Sequence, residues 1–117
     1  STIQGGSAII KLRGRSSFQS PAHNAVKMIE AAMGGEKFTL PAGCYVNDEK
    51  LGFKNVMMAM PTTIDTTGVH YEAPTGTAEE MASLKASYEH LCKMRDEIVE
   101  LGIVPAVADW KKDNANL

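Results

Sequence analysis

The chain is poor in the residues that staple a small protein, carry it through a bilayer or bind it to a polyanion. It has two cysteines, Cys44 and Cys92, and neither belongs to a C-x-x-C pair. That excludes a disulfide-rich scaffold; two isolated thiols in a reducing cytoplasm are expected, with one disulfide as the alternative. Lys and Arg number 12 against 14 Asp and Glu, a formal net charge of -2. No nucleic acid and no anionic membrane is therefore expected as a partner. The longest apolar run, "VMMAMP", is far too short to span a bilayer, and no charged-then-apolar leader precedes it. The expected location is cytoplasmic.

What remains is ordinary globular material. The 117 residues are 44% hydrophobic and 22% charged, which fits one soluble domain with a modest core. The start, "STIQGGSAIIKLRG", enters a helical pattern at once, with Ile3, Ser7 and Ile10 at helical spacing. Gly5 and Gly6 weaken its first turns by roughly 1 kcal/mol each relative to alanine. So abrupt a beginning predicts an excised fragment whose N-terminal neighbour is missing.

Gly14 suits the end of that first helix, after Lys11 and Arg13. The hydroxyl-rich loop "RSSFQS" follows, and Ser20-Pro21 predicts an N-cap and first-turn proline for a second helix. Ala22, Ala25, Val26, Ile29, Ala32 and Met33 form its apolar stripe, with Asn24, Lys27 and Glu30 facing away. Gly34-Gly35 stops it. The period then changes: "KFTLP", "GCYVN" and "KNVMMAMP" read as strands of an antiparallel meander, with a hairpin at "VNDEKLGF". Continuous apolarity in "VMMAM" predicts a strand covered on both faces, ended by Pro61. A turn with Gly68 leads to a short strand at 69–71.

Thr77 and Glu80 make a Thr-x-x-Glu capping box for the longest helix. Its apolar face is Met81, Leu84, Tyr88, Leu91, Met94, Ile98 and Leu101, closed by Gly102 and Pro105. The tail "WKKDNANL" is expected to fray. The fold class is α+β, helices packed on an antiparallel sheet.

Chemistry is sparse. His23, His70 and His90 lie on separate elements without ligand spacing, so no metal site is expected. Cys44 and Cys92 have no evident activating base, and Met57, Met58, Met60 and Met81 fall at core positions. "QGGSA" lacks the strand and spacing of a phosphate cradle, and "KMRDEIVE" reads as the solvated face of the long helix. Ser16, Ser17, Gln19 and Ser20 remain. Their side chains either stabilise the turn and cap the next helix, or line a pocket for a small carboxylated ligand.

The string "GGSAIIKLRGRSSFQSPA" resembles the segment after the catalytic histidine in the lactate/malate dehydrogenase family. The order of "EAAMGGEK", "FTLPAGCYV", "NVMMAMPTTI", "TTGV" and "EEMASLKAS" agrees over nearly the whole chain. The resemblance, nearest in the loop to the malate branch, implies a two-domain parent. In it an N-terminal Rossmann domain binds NAD, and a C-terminal domain, here residues 1–117, closes the pocket for a small 2-hydroxy or 2-oxo dicarboxylic acid. Ser17 then matches the loop position facing the substrate, with Ser16 beside it. Ser20 and Pro21 match positions near nicotinamide and substrate. The implied parent is a homo-oligomer interconverting malate and oxaloacetate. The catalytic histidine, its aspartate, both substrate arginines and the G-x-G-x-x-G fingerprint would all lie upstream of Ser1, so the isolated chain would be inactive. "VHYEAPTGT" departs from the family's hydrophobic strand at that place. The rival reading is a self-contained interaction or oligomerisation module using the Met-rich sheet or the long helix. A complete small enzyme is disfavoured because no acid/base pair is present.

Overall fold

The computed structural model describes residues 2–117. They group into two compact units, residues 2–39 with Thr63–His70, and Leu40–Thr62 with Tyr71–Leu117. The architecture is α+β, with helices and a three-stranded antiparallel meander in the order β1-β2-β3.

In the first unit a single 3-10 turn, Thr2–Gln4, leads into α1, Gly5–Arg13. Gly14 ends α1 in the left-handed region (φ 71°) and donates its N–H to the Ile10 carbonyl at 2.8 Å. Helix α2 spans Gln19–Ala32, and Gly34 takes a positive φ just beyond it. Its covered residues are Asn24, Met28 and Ala31, one helical row. The expected stripe is instead open to solvent: Val26 is 53%, Ile29 63% and Met33 82% exposed. The helix carries more apolar surface than the described residues cover, and the row that packs includes Asn24, which the apolar pattern assigned outward. Phe38, expected within a strand, makes only an isolated bridge with Ile64, through N–H···O contacts of 3.1 and 2.9 Å.

The second unit is built on the hairpin of β1, Pro41–Asp48, and β2, Phe53–Asp65, whose last residues, Thr63–Asp65, belong to the first unit. The connection turns at Gly52 (φ 72°), with the Asp48 carboxylate accepting the Lys50 N–H at 2.8 Å. Along β2 buried and open residues alternate, so the strand is covered on one face, not two. Met58 and Met60 are buried while Met57 between them is 59% exposed. The strand also runs through Pro61 to Asp65. Pro61 opposes Pro41, the first residue of β1, where the ladder asks for no further N–H, and its carbonyl accepts from Glu72 N–H at 2.9 Å. Strand β3, Gly68–Tyr71, follows a turn at Gly68 (φ 119°).

Helix α3, Ala78–Glu100, lays Leu84, Tyr88, Leu91 and Cys92 on the core of Cys44, Val46, Phe53, Val56, Met58 and Met60. The Phe53 and Tyr88 rings stack at 4.7 Å. The apolar face thins toward the C-terminus, where Met94, Ile98 and Leu101 are exposed. The tail forms a further helix, α4, Val107–Asp113, where fraying was expected. Asp109 in its first turn and Lys111 and Lys112 in its last suit the helix dipole, and Trp110 donates its indole N–H to Pro105 O at 2.9 Å.

Both halves of the capping box form: Glu80 N–H donates to Thr77 Oγ1 at 3.2 Å, and Thr77 N–H to Glu80 Oε2 at 2.8 Å. The Thr77 N–H, then its hydroxyl, hold the Glu80 carboxyl below the ordinary glutamate value. A depressed native value means this stabilisation is complete above the unfolded value and fades as pH falls through the native one. Thr77→Ala removes the hydroxyl half of the box and is expected to cost about 1 kcal/mol at pH 7 in urea unfolding. The gap to wild type should narrow only slightly below about pH 4, because alanine keeps the backbone N–H that holds Glu80.

Candidate functional site

The hydroxyl loop is set by its two ends. Gly14 reverses the chain out of α1, and after four intervening residues α2 begins at Gln19. The Arg13 Nη2 donates to Gln19 Oε1 at 3.2 Å, bridging the loop, and the Arg15 guanidinium lies 5.2 Å from the Phe18 ring centre. Between these contacts Ser16 is exposed and Ser17 half-buried. Ser20 and Pro21 are exposed in the first turn of α2.

The N-cap is Phe18, not Ser20, and no side chain caps the helix. Proline is tolerated throughout a helix's first turn, because the N–H it lacks would have no intrahelical acceptor there. The helix thus starts before Ser20 and leaves that hydroxyl off capping duty. Among the described residues, none of the Ser16, Ser17 or Ser20 hydroxyls is engaged by a protein partner. The junction so gathers three unspent hydroxyls beside a helix N-terminus, a combination suited to a small anion.

The other chemical candidates are accounted for structurally. His23 and His90 are exposed on α2 and α3. His70 meets Thr67 Oγ1 at 2.8 Å and lies 3.7 Å from Asp65 Oδ1, with Lys37 3.8 Å from the same carboxylate. The Thr67 hydroxyl, then its N–H, hold the Asp65 carboxyl below the ordinary aspartate value. The Thr67 proton is thereby committed to Asp65, so this group is a hydrogen-bonded turn, not an activated nucleophile. Among the described residues no group of three or more His, Cys, Asp or Glu side chains is placed to hold a metal. Both thiols are free, as expected; buried Cys44 lies 3.2 Å from Thr62 Oγ1.

Arg95, assigned to a solvated face by the charge pattern, is a staple. Its Nη1 donates to the carbonyls of Lys54 and Asn55 at 3.0 and 3.1 Å, and its Nε to Asp96 at 2.9 Å. The sequence signal was present only as an arginine on the flank of the apolar stripe.

A dinucleotide needs a glycine-rich turn between strand and helix to cradle its pyrophosphate. Here Gly5 and Gly6 lie inside α1, and Gly34 and Gly35 follow a helix. The described residues do not fit a self-sufficient NAD site. Nor, among them, is any helix long and apolar enough to cross a membrane.

Comparison with known proteins gives a consistent neighbourhood. The profile of the lactate/malate dehydrogenase alpha/beta C-terminal domain matches residues 1–101. The chain is 32% identical over 99 residues to a malate dehydrogenase of Sorangium cellulosum, covering 83% of this chain and 31% of that protein. Malate dehydrogenases of Bacillus israeli and Geobacillus kaustophilus are 33% and 32% identical over 90 residues, 75% of this chain and 28% of each relative. The chain thus spans about a third or less of the relatives it matches.

The loop geometry rests on Gly14. Gly14→Ala puts a β-carbon in the left-handed region at about 1 kcal/mol, so amides closing α1 should exchange roughly five-fold faster. Gly43→Ala, where an added β-carbon meets nothing within 4 Å, serves as the control and should leave those amides unchanged.

Proposed function

The chain belongs to the lactate/malate dehydrogenase family, and on that footing we propose that residues 1–117 are the substrate-side domain of an NAD-dependent malate dehydrogenase. The observation carrying this reading is the α1–α2 junction, whose hydroxyls are free of protein partners. Ser17, half-buried, hydrogen-bonds the dicarboxylic substrate; Ser16 flanks it, and Ser20 with Pro21 shapes the wall toward the nicotinamide. NAD is held by a separate Rossmann domain, consistent with the absence of a phosphate cradle among the described residues. The cofactor supplies hydride, and this chain contributes substrate positioning and exclusion of water.

The exposed apolar stripe of α2 supports the same reading. Val26, Ile29 and Met33 on one helix form a surface that a lone soluble domain seldom leaves open. It is covered in the parent by the other domain or by a second subunit of a cytoplasmic homo-oligomer. The rival interaction module also accounts for the stripe, but gives the hydroxyl junction no task. Alone, the chain is inactive: hydride transfer needs nicotinamide, proton donor and carboxylate clamp together.

The test is Ser17→Leu in the two-domain enzyme, with oxaloacetate and pyruvate as alternative substrates. The expected result is a 10- to 100-fold loss of kcat/KM for oxaloacetate, the scale of one lost hydrogen bond plus an unmatched polar group, at unchanged KM for NADH. Undiminished turnover by the variant would move the substrate wall elsewhere.

A further inference from the structure

Within the unit formed by residues 40–62 and 71–117 lies a cavity of about 290 Å³ that the dehydrogenase reading leaves unused. Tyr45, Asn55 and Met57 from the hairpin, Met94 and Ile98 from α3, and Trp110 from α4 form most of its wall. Trp110 lies beyond the residues 1–101 that match the family profile, so this wall is completed by a segment outside the match.

The polar groups around the cavity define what it accepts. The Trp110 indole N–H is spent on Pro105 O, so the indole offers the cavity only apolar surface. Arg95 carries the one charge in the wall, and that charge is already matched. Its Nη2 lies 2.8 Å from Asp96 Oδ1, and its Nη1 serves the carbonyls of Lys54 and Asn55. An anionic ligand would compete with Asp96 and gains little; a cation would meet Arg95. The Tyr45 hydroxyl donates to Asn55 Oδ1, which leaves the Asn55 amide N–H groups without a protein acceptor among the described residues. Asn55 also holds a left-handed backbone (φ 53°), a conformation that favours glycine and that asparagine tolerates better than most residues.

Met57 and Met94 add polarizable sulfur, which favours contact with aromatic rings. The volume sits at the small end of small-molecule sites, room for one or two rings. We propose that this cavity binds a neutral planar aromatic molecule of one or two rings carrying one hydrogen-bond acceptor, which the Asn55 amide engages. The site is independent of the α1–α2 loop and of the dehydrogenase reading.

Trp110 is the only tryptophan, so its indole N–H resonance is a single local reporter. Quinoline, naphthalene and 2-naphthoate, titrated into the full chain, vary the acceptor and the charge in turn. Quinoline should shift the Trp110 and Asn55 side-chain resonances saturably below about 1 mM, with naphthalene about ten-fold weaker and 2-naphthoate weaker still. Asn55→Gly suits the left-handed backbone, so it keeps the fold while deleting the amide; it should erase the preference for quinoline over naphthalene. Absence of saturation by quinoline would overturn the proposal. So would equal binding of the naphthoate, a preference that survives Asn55→Gly, or Trp110 shifts that follow protein concentration alone, which would make a second copy the occupant.

Discussion

Six of the ten side chains buried among the described residues lie along one strand. Phe53, Val56, Met58, Met60, Thr62 and Ile64 line the covered face of β2, and every strand pairing in the described residues is made to it. Val46 and Met60, the largest fully buried side chains, lie on β1 and β2 of one hairpin. The period of two is strict enough that a one-residue slip would turn Met57 and Ala59 inward and Met58 and Met60 outward. Helix α3 adds the Phe53–Tyr88 stack and the Arg95 staple on the Lys54 and Asn55 carbonyls. The Tyr88 hydroxyl also accepts the Lys54 N–H at 3.2 Å, a further tie between α3 and β2. These contacts fix the hairpin and the helix that make up the second unit.

How much of this was legible depended on whether a feature is decided locally. The capping box at Thr77 and Glu80 and the turns at Gly14 and Gly68 involve neighbours in sequence, and all formed as expected. The failures needed tertiary information. Pro61 reads as a strand terminator until its partner is known to be Pro41. "VMMAM" is apolar throughout, and only the pleat shows which residues face the core. The polar tail forms a helix in which Trp110 hydrogen-bonds Pro105, a pairing no periodicity announces.

The candidate site followed the same division. Its residue types and its place between two helices were readable, and the order of segments carried the family resemblance that the profile match bears out. The exact cap was not, because proline fits several positions of a first turn equally well. Moving the helix start ahead of Ser20 strengthens the functional reading, since a hydroxyl withdrawn from capping becomes available to a ligand. The open stripe on α2 points the same way: apolar area without cover and hydroxyls without partners are both contacts awaiting something outside the described residues.

That shared dependence makes one measurement decisive: NADH oxidation with oxaloacetate, by residues 1–117 alone and by the same residues joined to the NAD-binding domain that the proposed function requires. The account predicts turnover by the joined protein and none by the chain alone. Turnover by the chain alone, or none by the joined protein, would contradict it.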